Sequence, residues 1–143
     1  MGFEHGLKKN QILSNNEIVD LFKCSNTGGM RRSKKTNTLV LVSDYTKGLY
    51  HDKWIDDVMH YTGMGKIGDR DINFMQNRTL NESKTNGVTL VLFEVFKKNE
   101  YTFVGEVELC GEPYQEDQND DDKKLRKVYV FPLKIKENNF IER

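Results

Sequence analysis

The sequence lacks the long apolar runs of membrane proteins and contains few cysteines. A membrane helix needs about 20 consecutive apolar residues, and no segment approaches that length in a chain of 143 residues with 36% hydrophobic content and a mean hydropathy of −0.71. Cys24 and Cys110 are far apart and have no CxxC spacing or nearby histidine pair, so neither a zinc site nor a disulfide framework is indicated. We expect a single domain with reduced cysteines, no metal or other cofactor, and no membrane partner.

Signals for export and lipidation are also missing from the start of the sequence. The segment MGFEHGLKKNQIL contains no continuous apolar stretch, which a secretion signal needs. Gly6 occupies the position at which N-myristoylation usually requires serine or threonine. We therefore expect a cytoplasmic protein.

The common catalytic motifs are absent from the sequence as well. His5, His51 and His60 show no HxxxH spacing, and neither GxSxG nor a P-loop occurs. Asp44, Glu94 and Lys97 could be arranged as a nuclease-like set, but ordinary surface residues explain them better. We expect a recognition module without its own catalytic residues.

Charge is balanced in total but unevenly distributed along the chain. The formal net charge is zero, yet a basic segment, MRRSKK at 30–35, follows Gly28 and Gly29 and is predicted to be a loop. An acidic run at 116–122 is predicted to be a second loop, and it would repel phosphate. A polyanion would therefore approach the first segment and avoid the second.

Sequence periodicity predicts an α+β fold in which four or five antiparallel strands and two or three short helices form a partly open barrel. A capping box at Ser14 and Glu17 begins a helix over about 15–23, and Gly87 ends one or two helical turns over 77–84. Strand-like segments with β-branched, aromatic or alternating apolar residues are found at 38–42, 88–96, 101–109 and 127–133. In the third, residues 101, 103, 105, 107 and 109 are predicted to share one face, and Pro132 in the last predicts a sheet edge or a strand end.

The segment GLYHDKWIDDVMHYTGMG at 48–65 concentrates aromatic rings, carboxylates and glycines. Taken singly, Trp54 and Tyr61 are explained as core residues and the glycines as an ordinary loop. Taken together, they provide what is needed to hold a planar heterocycle: rings stack on its faces, a carboxylate accepts from an exocyclic amine, and glycine allows the backbone to approach its edge.

Four sequence blocks, in order, resemble the SRA (SET- and RING-associated, or YDG) domain, most closely the SRA-like domains of McrA-type HNH restriction endonucleases. The blocks are YTGMG at 61–65, NRTL at 77–80, and the strands VTLVLFEVF and YTFVGEVEL. The resemblance implies an SRA/PUA-like barrel over 28–136, preceded by an N-terminal segment with a short helix at 1–27 and followed by a tail at 137–143. It further implies a DNA-binding reader of 5-methylcytosine, or of a bulkier 5-substituted cytosine such as 5-hydroxymethylcytosine, which acts by base flipping on duplex DNA. Such a reader would serve a modification-dependent restriction system, with a nuclease domain or partner in the parent protein.

The resemblance also assigns roles to individual residues. It implies that Tyr61 stacks on the flipped base and that Asp52, nine positions earlier, bonds the cytosine edge. Tyr50 and Trp54 are rival candidates for the second stacking ring, and Thr62 and Gly63 complete the pocket. Met30 is the candidate wedge that fills the gap in the duplex. The candidate phosphate contacts are Arg31, Arg32, Lys34, Lys35, Lys66 and Arg70.

Two other functions remain open on the sequence alone. RNA readers of the related PUA, EVE or YTH barrels also enclose a modified base with aromatic rings. A protein-interaction barrel that uses the acidic run at 116–122 would bind no nucleic acid.

Overall fold

The computed structural model of the protein describes residues 4–46, 52–63, 76–119 and 125–136. Within these ranges the chain forms two short helices and nine strands. The helices are α1 (Asn15–Phe22) and α2 (Gln76–Asn81). The strands are β1 (Ile12–Leu13), β2 (Met30–Ser33), β3 (Thr38–Asp44), β4 (Lys53–Ile55), β5 (Val58–Thr62), β6 (Thr89–Lys97), β7 (Glu100–Leu109), β8 (Tyr114–Asn119) and β9 (Leu125–Ile135).

The strands form one open sheet in the order β2-β3-β6-β7-β9-β5-β4, with β1 added to β7 and β8 added to β9. Strands β3 and β6 pair in parallel, whereas the other pairs are antiparallel. In the described ranges β2 and β4 are the two ends of this order and do not pair with each other. The α+β class and the partly open architecture are confirmed, whereas the parallel β3–β6 pair departs from the predicted antiparallel arrangement.

Helix α1 begins at the predicted capping box. Ser14 Oγ accepts from the Glu17 amide at 3.2 Å, and Glu17 Oε1 accepts from the Ser14 amide at 2.7 Å, so two amides at the helix start are satisfied. The helix ends at Lys23, whose left-handed backbone has φ 58°. Ile18 and Phe22 are fully buried against the sheet. Neither described helix is long and apolar enough to cross a membrane.

Apolar side chains from β3 and β6 fill two cores, one on each face of the sheet. Leu39 and Leu41 enter one core together with Tyr61 and Phe131. Val40 and Val42 enter the other, against α1. A parallel pair that is covered on both faces has continuous apolar sequence, which explains why the predicted strand at 38–42 shows no alternation.

The predicted common face of β7 is wrong, because a β-bulge interrupts the strand. Leu92 pairs with Gly105 but the next residue, Phe93, pairs with Phe103, so Val104 is an extra residue that breaks the alternation. Consequently Phe103 packs in the core beside α1, whereas Val107 and Leu109 pack in the opposite core.

Pro132 lies inside β9, in the centre of the sheet, so its predicted place at a sheet edge or strand end is wrong. On one side of β9 the partner changes here, from Tyr114 of β8 opposite Val130 to Leu109 of β7 opposite Leu133. Proline has no amide hydrogen to donate. The change of partner interrupts the hydrogen-bond ladder at this point, and this interruption accommodates the proline. The acidic run is also not wholly a loop, because Glu116–Asn119 belongs to β8.

Candidate functional site

Asp52 is the centre of a buried polar cluster at the carboxyl ends of β3 and β6. Asp52 directly precedes β4 and is only 8% exposed. Ser43 Oγ, at the end of β3, donates to Asp52 Oδ2 at 3.1 Å. The backbone amide of Thr62, at the end of β5, donates to Asp52 Oδ1 at 2.7 Å. The structure therefore brings Asp52 and the YTG segment together, while the predicted contact of Asp52 with a cytosine stays a prediction.

Burial raises the pKa of Asp52 to about 7. Removal from water disfavours the charged form, and the hydrogen bonds from the Thr62 amide, from Ser43 and from the Thr62 hydroxyl lower the pKa only in part. A carboxyl group with this pKa is present in both protonation states near neutral pH. It can therefore donate one hydrogen bond while accepting others.

Tyr61 joins β5 to the segment that precedes β2. Its ring is 2% exposed, and its hydroxyl donates to the Gly29 carbonyl at 2.6 Å and is 3.3 Å from the Val42 carbonyl. Burial, followed by the charge of Asp52, raises the pKa of Tyr61 well above its usual value. Tyr61 lies near Asp52, but its ring is covered and bonded inside the protein, so in this conformation it offers no face for the predicted stacking on a base.

Gly63 has no room for a side chain. A Cβ at this position would lie 2.5 Å from Asn77 Oδ1 and 2.9 Å from Phe131 Cε1, and both neighbours are fully buried. The Gly63 amide donates to the Tyr129 carbonyl at 2.9 Å. The glycine of the YTG block thus allows α2, β5 and β9 to meet closely behind the Asp52 cluster.

Thr62 links the cluster to β8. Gln118 Nε2 donates to Thr62 Oγ1 at 3.1 Å and to Glu116 Oε2 at 3.0 Å. Gln118 is 2% exposed, and its Oε1 has no hydrogen-bond partner in the described part of the chain. A buried acceptor without a partner is unfavourable by about 1–3 kcal/mol, so this oxygen is a position at which a bound group or a water molecule would be stabilised.

Two aromatic side chains bond to Glu94, the residue of β6 that pairs with Ser43. Tyr45 hydroxyl and Trp54 Nε1 both donate to Glu94 Oε2, each at 2.9 Å. Tyr45 also interacts with Ser43 and with the charge of Asp52, and burial raises its pKa. Trp54, one of the predicted ring candidates, is partly buried against the core. Tyr45 is a ring that the sequence prediction did not include.

The basic segment at 30–35 is a strand followed by a turn, so its prediction as a loop is wrong. Met30 is 6% exposed and packs in the core with Leu41 and Tyr61. A wedge must project from the surface, so Met30 cannot serve as one in this conformation. Arg31 is 4% exposed and donates to the Gly28 carbonyl at 2.8 Å and to Asn15 Oδ1 at 2.6 Å. Its guanidinium group is therefore not exposed for contact with a phosphate.

The other three basic residues lie farther along the β2–β3 hairpin. Arg32 is partly buried and donates to the carbonyls of Ser33 and Thr38 and to Asn37 Oδ1. Lys34 and Lys35 are exposed in the turn. Four paired residues of β2 separate this turn from Gly29, roughly 13 Å of strand. The two lysines are therefore at the opposite end of the hairpin from Asp52.

Tyr50, Lys66 and Arg70 lie outside the described residues, so their predicted roles stay predictions. Sequence reasoning missed Ser43, Tyr45 and Gln118, and it treated Glu94 as an ordinary surface residue. For Ser43 and Tyr45 one signal was available, because both lie just after the apolar run at 38–42. In the part of the chain that the structure describes, no three metal-ligating side chains cluster.

Comparison with known proteins identifies similar domains. The sequence profile described as "ScoMcrA-like, SRA domain" matches residues 9–140. Among curated proteins, no sequence gives a significant match.

Solved structures of low sequence identity share the fold. "Sulfur binding domain and SRA domain of ScoMcrA complexed with phosphorothioated DNA" has a TM-score of 0.73 at 18% identity, over 90% of this chain and 40% of that one. "Structure of the Type IV phosphorothioation-dependent restriction endonuclease ScoMcrA" has a TM-score of 0.74 at 19% identity, over 95% of this chain and 29% of that one. "Crystal Structure of SUVH5 SRA bound to fully hydroxymethylated CG DNA" has a TM-score of 0.68 at 21% identity, over 96% and 95%. The chain thus spans less than half of either ScoMcrA chain.

Proposed function

The chain belongs to the ScoMcrA-like SRA domain family, and from this premise we propose that it is a DNA-binding module that reads a 5-modified cytosine by base flipping. SRA domains of similar fold have been solved with hydroxymethylated and with hemi-methylated CG DNA. In the proposal the target base leaves the duplex and enters the pocket at Asp52.

The buried Asp52 carboxyl is the single observation that carries the proposal. The pairing edge of cytosine presents an amine donor next to a ring-nitrogen acceptor. A protonated carboxyl, which both donates and accepts, complements that pair of groups. With a pKa of about 7, Asp52 reaches the protonated state at little energetic cost when a base binds. The hydrogen bonds from Thr62 and Ser43 hold the carboxyl in place for this contact.

Aromatic rings beside Asp52 supply the stacking surfaces in the proposal. Unstacking a base costs a few kcal/mol, and stacking on an aromatic ring returns about 1–3 kcal/mol per base. Tyr45 is the strongest candidate ring, because it is partly exposed and interacts with both Ser43 and Asp52. Trp54 and Tyr50 remain rivals of Tyr45, whereas the covered ring of Tyr61 supports the pocket without stacking on the base.

A different segment replaces Met30 in the proposed opening of the duplex. Residues 25–29 are exposed and are anchored at Gly29 by Tyr61. This segment can therefore approach a groove of the DNA while Gly29, at its end, stays bonded to Tyr61. Lys66 and Arg70 remain proposed phosphate contacts. Arg31 is removed from that set because its guanidinium is buried, and Lys34 and Lys35 are removed because they lie at the far end of the β2–β3 hairpin.

In the proposed context the chain is the recognition part of a modification-dependent restriction system in the cytoplasm. The nuclease would reside in another part of the parent protein or in a partner. The fold it shares with the longer ScoMcrA chain, of which it spans 29%, supports this arrangement.

Fluorescence polarisation with matched duplexes tests the proposal. The duplexes would differ only at one cytosine, as cytosine, 5-methylcytosine or 5-hydroxymethylcytosine. We expect tighter binding to at least one modified duplex than to the plain duplex. Equal affinity for all three would overturn the proposal.

A further inference from the structure

The tip of the β6–β7 hairpin carries an aromatic residue and two lysines that the function above leaves unexplained. Phe96 is 61% exposed, the largest exposed fraction among the large apolar side chains of the described residues. Lys97 and Lys98 follow it directly and are also exposed, and neither forms an ion pair within the described ranges. An exposed ring next to free cations is typical of nucleic-acid-binding surfaces.

The hairpin tip lies at the same edge of the sheet as Asp52. Strands β3 and β6 are parallel and place Ser43 beside Glu94, and the Tyr45 amide donates to the Val95 carbonyl at 2.9 Å. Both strands therefore deliver their next residues to one rim. The Asp52 cluster begins at Ser43, and the hairpin tip begins two residues after Glu94.

The ring of Phe96 is directly connected to the candidate pocket. It stacks on Tyr45, with 5.0 Å between ring centroids and 8° between ring planes. The Tyr45 hydroxyl is bonded to Glu94, which fixes the orientation of the lower ring. This contact holds the Phe96 ring nearly parallel to the Tyr45 ring, and most of the Phe96 side chain stays exposed to solvent.

The hairpin tip is also braced against the segment at 25–29. The Asn15 amide donates to Asn99 Oδ1 in the hairpin turn at 2.9 Å, and Asn15 Nδ2 donates to the Asn26 carbonyl at 2.8 Å. Arg31 donates to Asn15 Oδ1 and to the Gly28 carbonyl. The first residue of α1 is thus hydrogen-bonded to both the hairpin turn and the segment at 25–29.

We propose that the hairpin tip at 96–98 is a second DNA-binding element, in which Phe96 packs on the nucleotide next to the flipped base and Lys97 and Lys98 bind phosphates. The inference rests on the proposed function for the position of the flipped base. DNA is the occupant that fits, because the ring continues the stacking surface of Tyr45 and the cations beside it suit a phosphate backbone. Such an element supplies affinity, while Asp52 supplies the choice of base.

The test compares lysine pairs at the two ends of the fold. Lys97→Ala with Lys98→Ala should reduce the slope of log affinity against log salt by about two, roughly one for each phosphate contact, on plain and modified duplexes alike. Lys34→Ala with Lys35→Ala removes the same charge from the far turn and should leave the slope unchanged. An equal change in both pairs, or no change in the first, would overturn the inference.

The aromatic part is tested at Phe96 itself. Phe96→Ala should weaken binding of the modified duplex roughly five- to a hundredfold, whereas Phe96→Trp should bind as the unchanged protein does. The new indole should also lose fluorescence when DNA is added, beyond any change from Trp54 in the unchanged protein. Wild-type affinity in Phe96→Ala, together with an unquenched indole in Phe96→Trp, would overturn the aromatic contact.

The two proposals fail separately. If the unchanged protein prefers modified DNA but the hairpin variants bind as it does, the hairpin inference is wrong and the proposed function stands. If the unchanged protein shows no preference for modified DNA, the proposed function is wrong, and the salt slope on plain DNA still decides the role of Lys97 and Lys98.

Discussion

The backbone amide of Thr62 donates to Oδ1 of Asp52 at 2.7 Å, and this contact fixes a carboxyl group inside the protein. Burial disfavours the charged form of a carboxyl group. The Thr62 amide and the hydroxyl groups of Ser43 and Thr62 hold the carboxyl in place and lower its pKa, but burial has the larger effect. The pKa of Asp52 is raised for this reason.

The first prediction concerns the pH dependence of stability. The folded pKa of Asp52 is raised from 3.8 to about 7. Between these two pH values the folded state keeps a proton that the unfolded state has released. The stabilising contribution is complete below the lower pKa and is lost as pH rises through the upper one. Asp52→Asn should therefore raise the free energy of unfolding near pH 8 by a few kcal/mol, at about 1.4 kcal/mol per pKa unit.

Denaturant unfolding of both proteins across about pH 4 to 8 measures this difference. The difference in the free energy of unfolding between Asp52→Asn and the unchanged protein should widen with pH and then level off above about pH 7. Asp57→Asn, in the exposed turn between β4 and β5, serves as the matched control and should show no widening. A gap that stays constant with pH would contradict the raised pKa.

The second prediction treats Met30 as a core residue. Met30→Ala should lower the free energy of unfolding by about 2–5 kcal/mol, because it leaves a cavity beside Leu41 and Tyr61. Ile12→Ala is the control, since Ile12 is 56% exposed and should change stability by less than about 0.5 kcal/mol. A Met30 variant of unchanged stability but weakened binding to paired DNA would instead favour the wedge role.

The third prediction concerns the close contact at Gly63. Gly63→Ala should destabilise the fold by about 1–3 kcal/mol, because the new methyl group overlaps Asn77 and Phe131 and neither can move into solvent. Gly29→Ala is the control: its Cβ would lie 3.4 Å from the Tyr61 hydroxyl and 3.5 Å from the Val42 carbonyl, which is ordinary contact. Thermal unfolding of both variants measures the effect, and equal midpoints would contradict it.

The fourth prediction separates the candidate rings. Tyr45→Leu should weaken binding to modified DNA roughly five- to a hundredfold and reduce the preference over plain DNA. Tyr45→Phe keeps the ring and should bind within a few-fold of the unchanged protein. Trp54→Leu, which removes the rival ring, should weaken binding less than Tyr45→Leu does. A larger loss from Trp54→Leu than from Tyr45→Leu would identify Trp54 as the stacking ring.

Local sequence signals predicted the elements that depend on neighbouring residues. The capping box at Ser14 and the apolar run at 38–42 located α1 and β3, because caps and core strands are determined by short-range patterns. The bulge at Val104 and the position of Pro132 could not be predicted in this way. Both depend on which strand lies alongside, and that is fixed by distant parts of the chain.

The candidate site was predicted in part for the same reason. Asp52, Tyr61 and Gly63 lie in one short segment whose composition is unusual, so the sequence drew attention to them. Tyr45 and Glu94 meet only because β3 and β6 pair in parallel, a long-range contact with no sequence signature. The basic run at 30–35 was wrongly predicted to be a loop, because its charges gave no sign that Met30 and Arg31 are buried on opposite faces of a covered strand.

The most direct measurement of the central claim is the ratio of dissociation constants for plain and modified duplexes in three proteins. The unchanged protein should prefer the modified duplex. Asp52→Asn should keep that preference, because a carboxamide both donates and accepts as the protonated carboxyl does, whereas Asp52→Ala should bind both duplexes with equal, weak and salt-dependent affinity. A full preference for modified DNA in Asp52→Ala would contradict the claim that Asp52 reads the base.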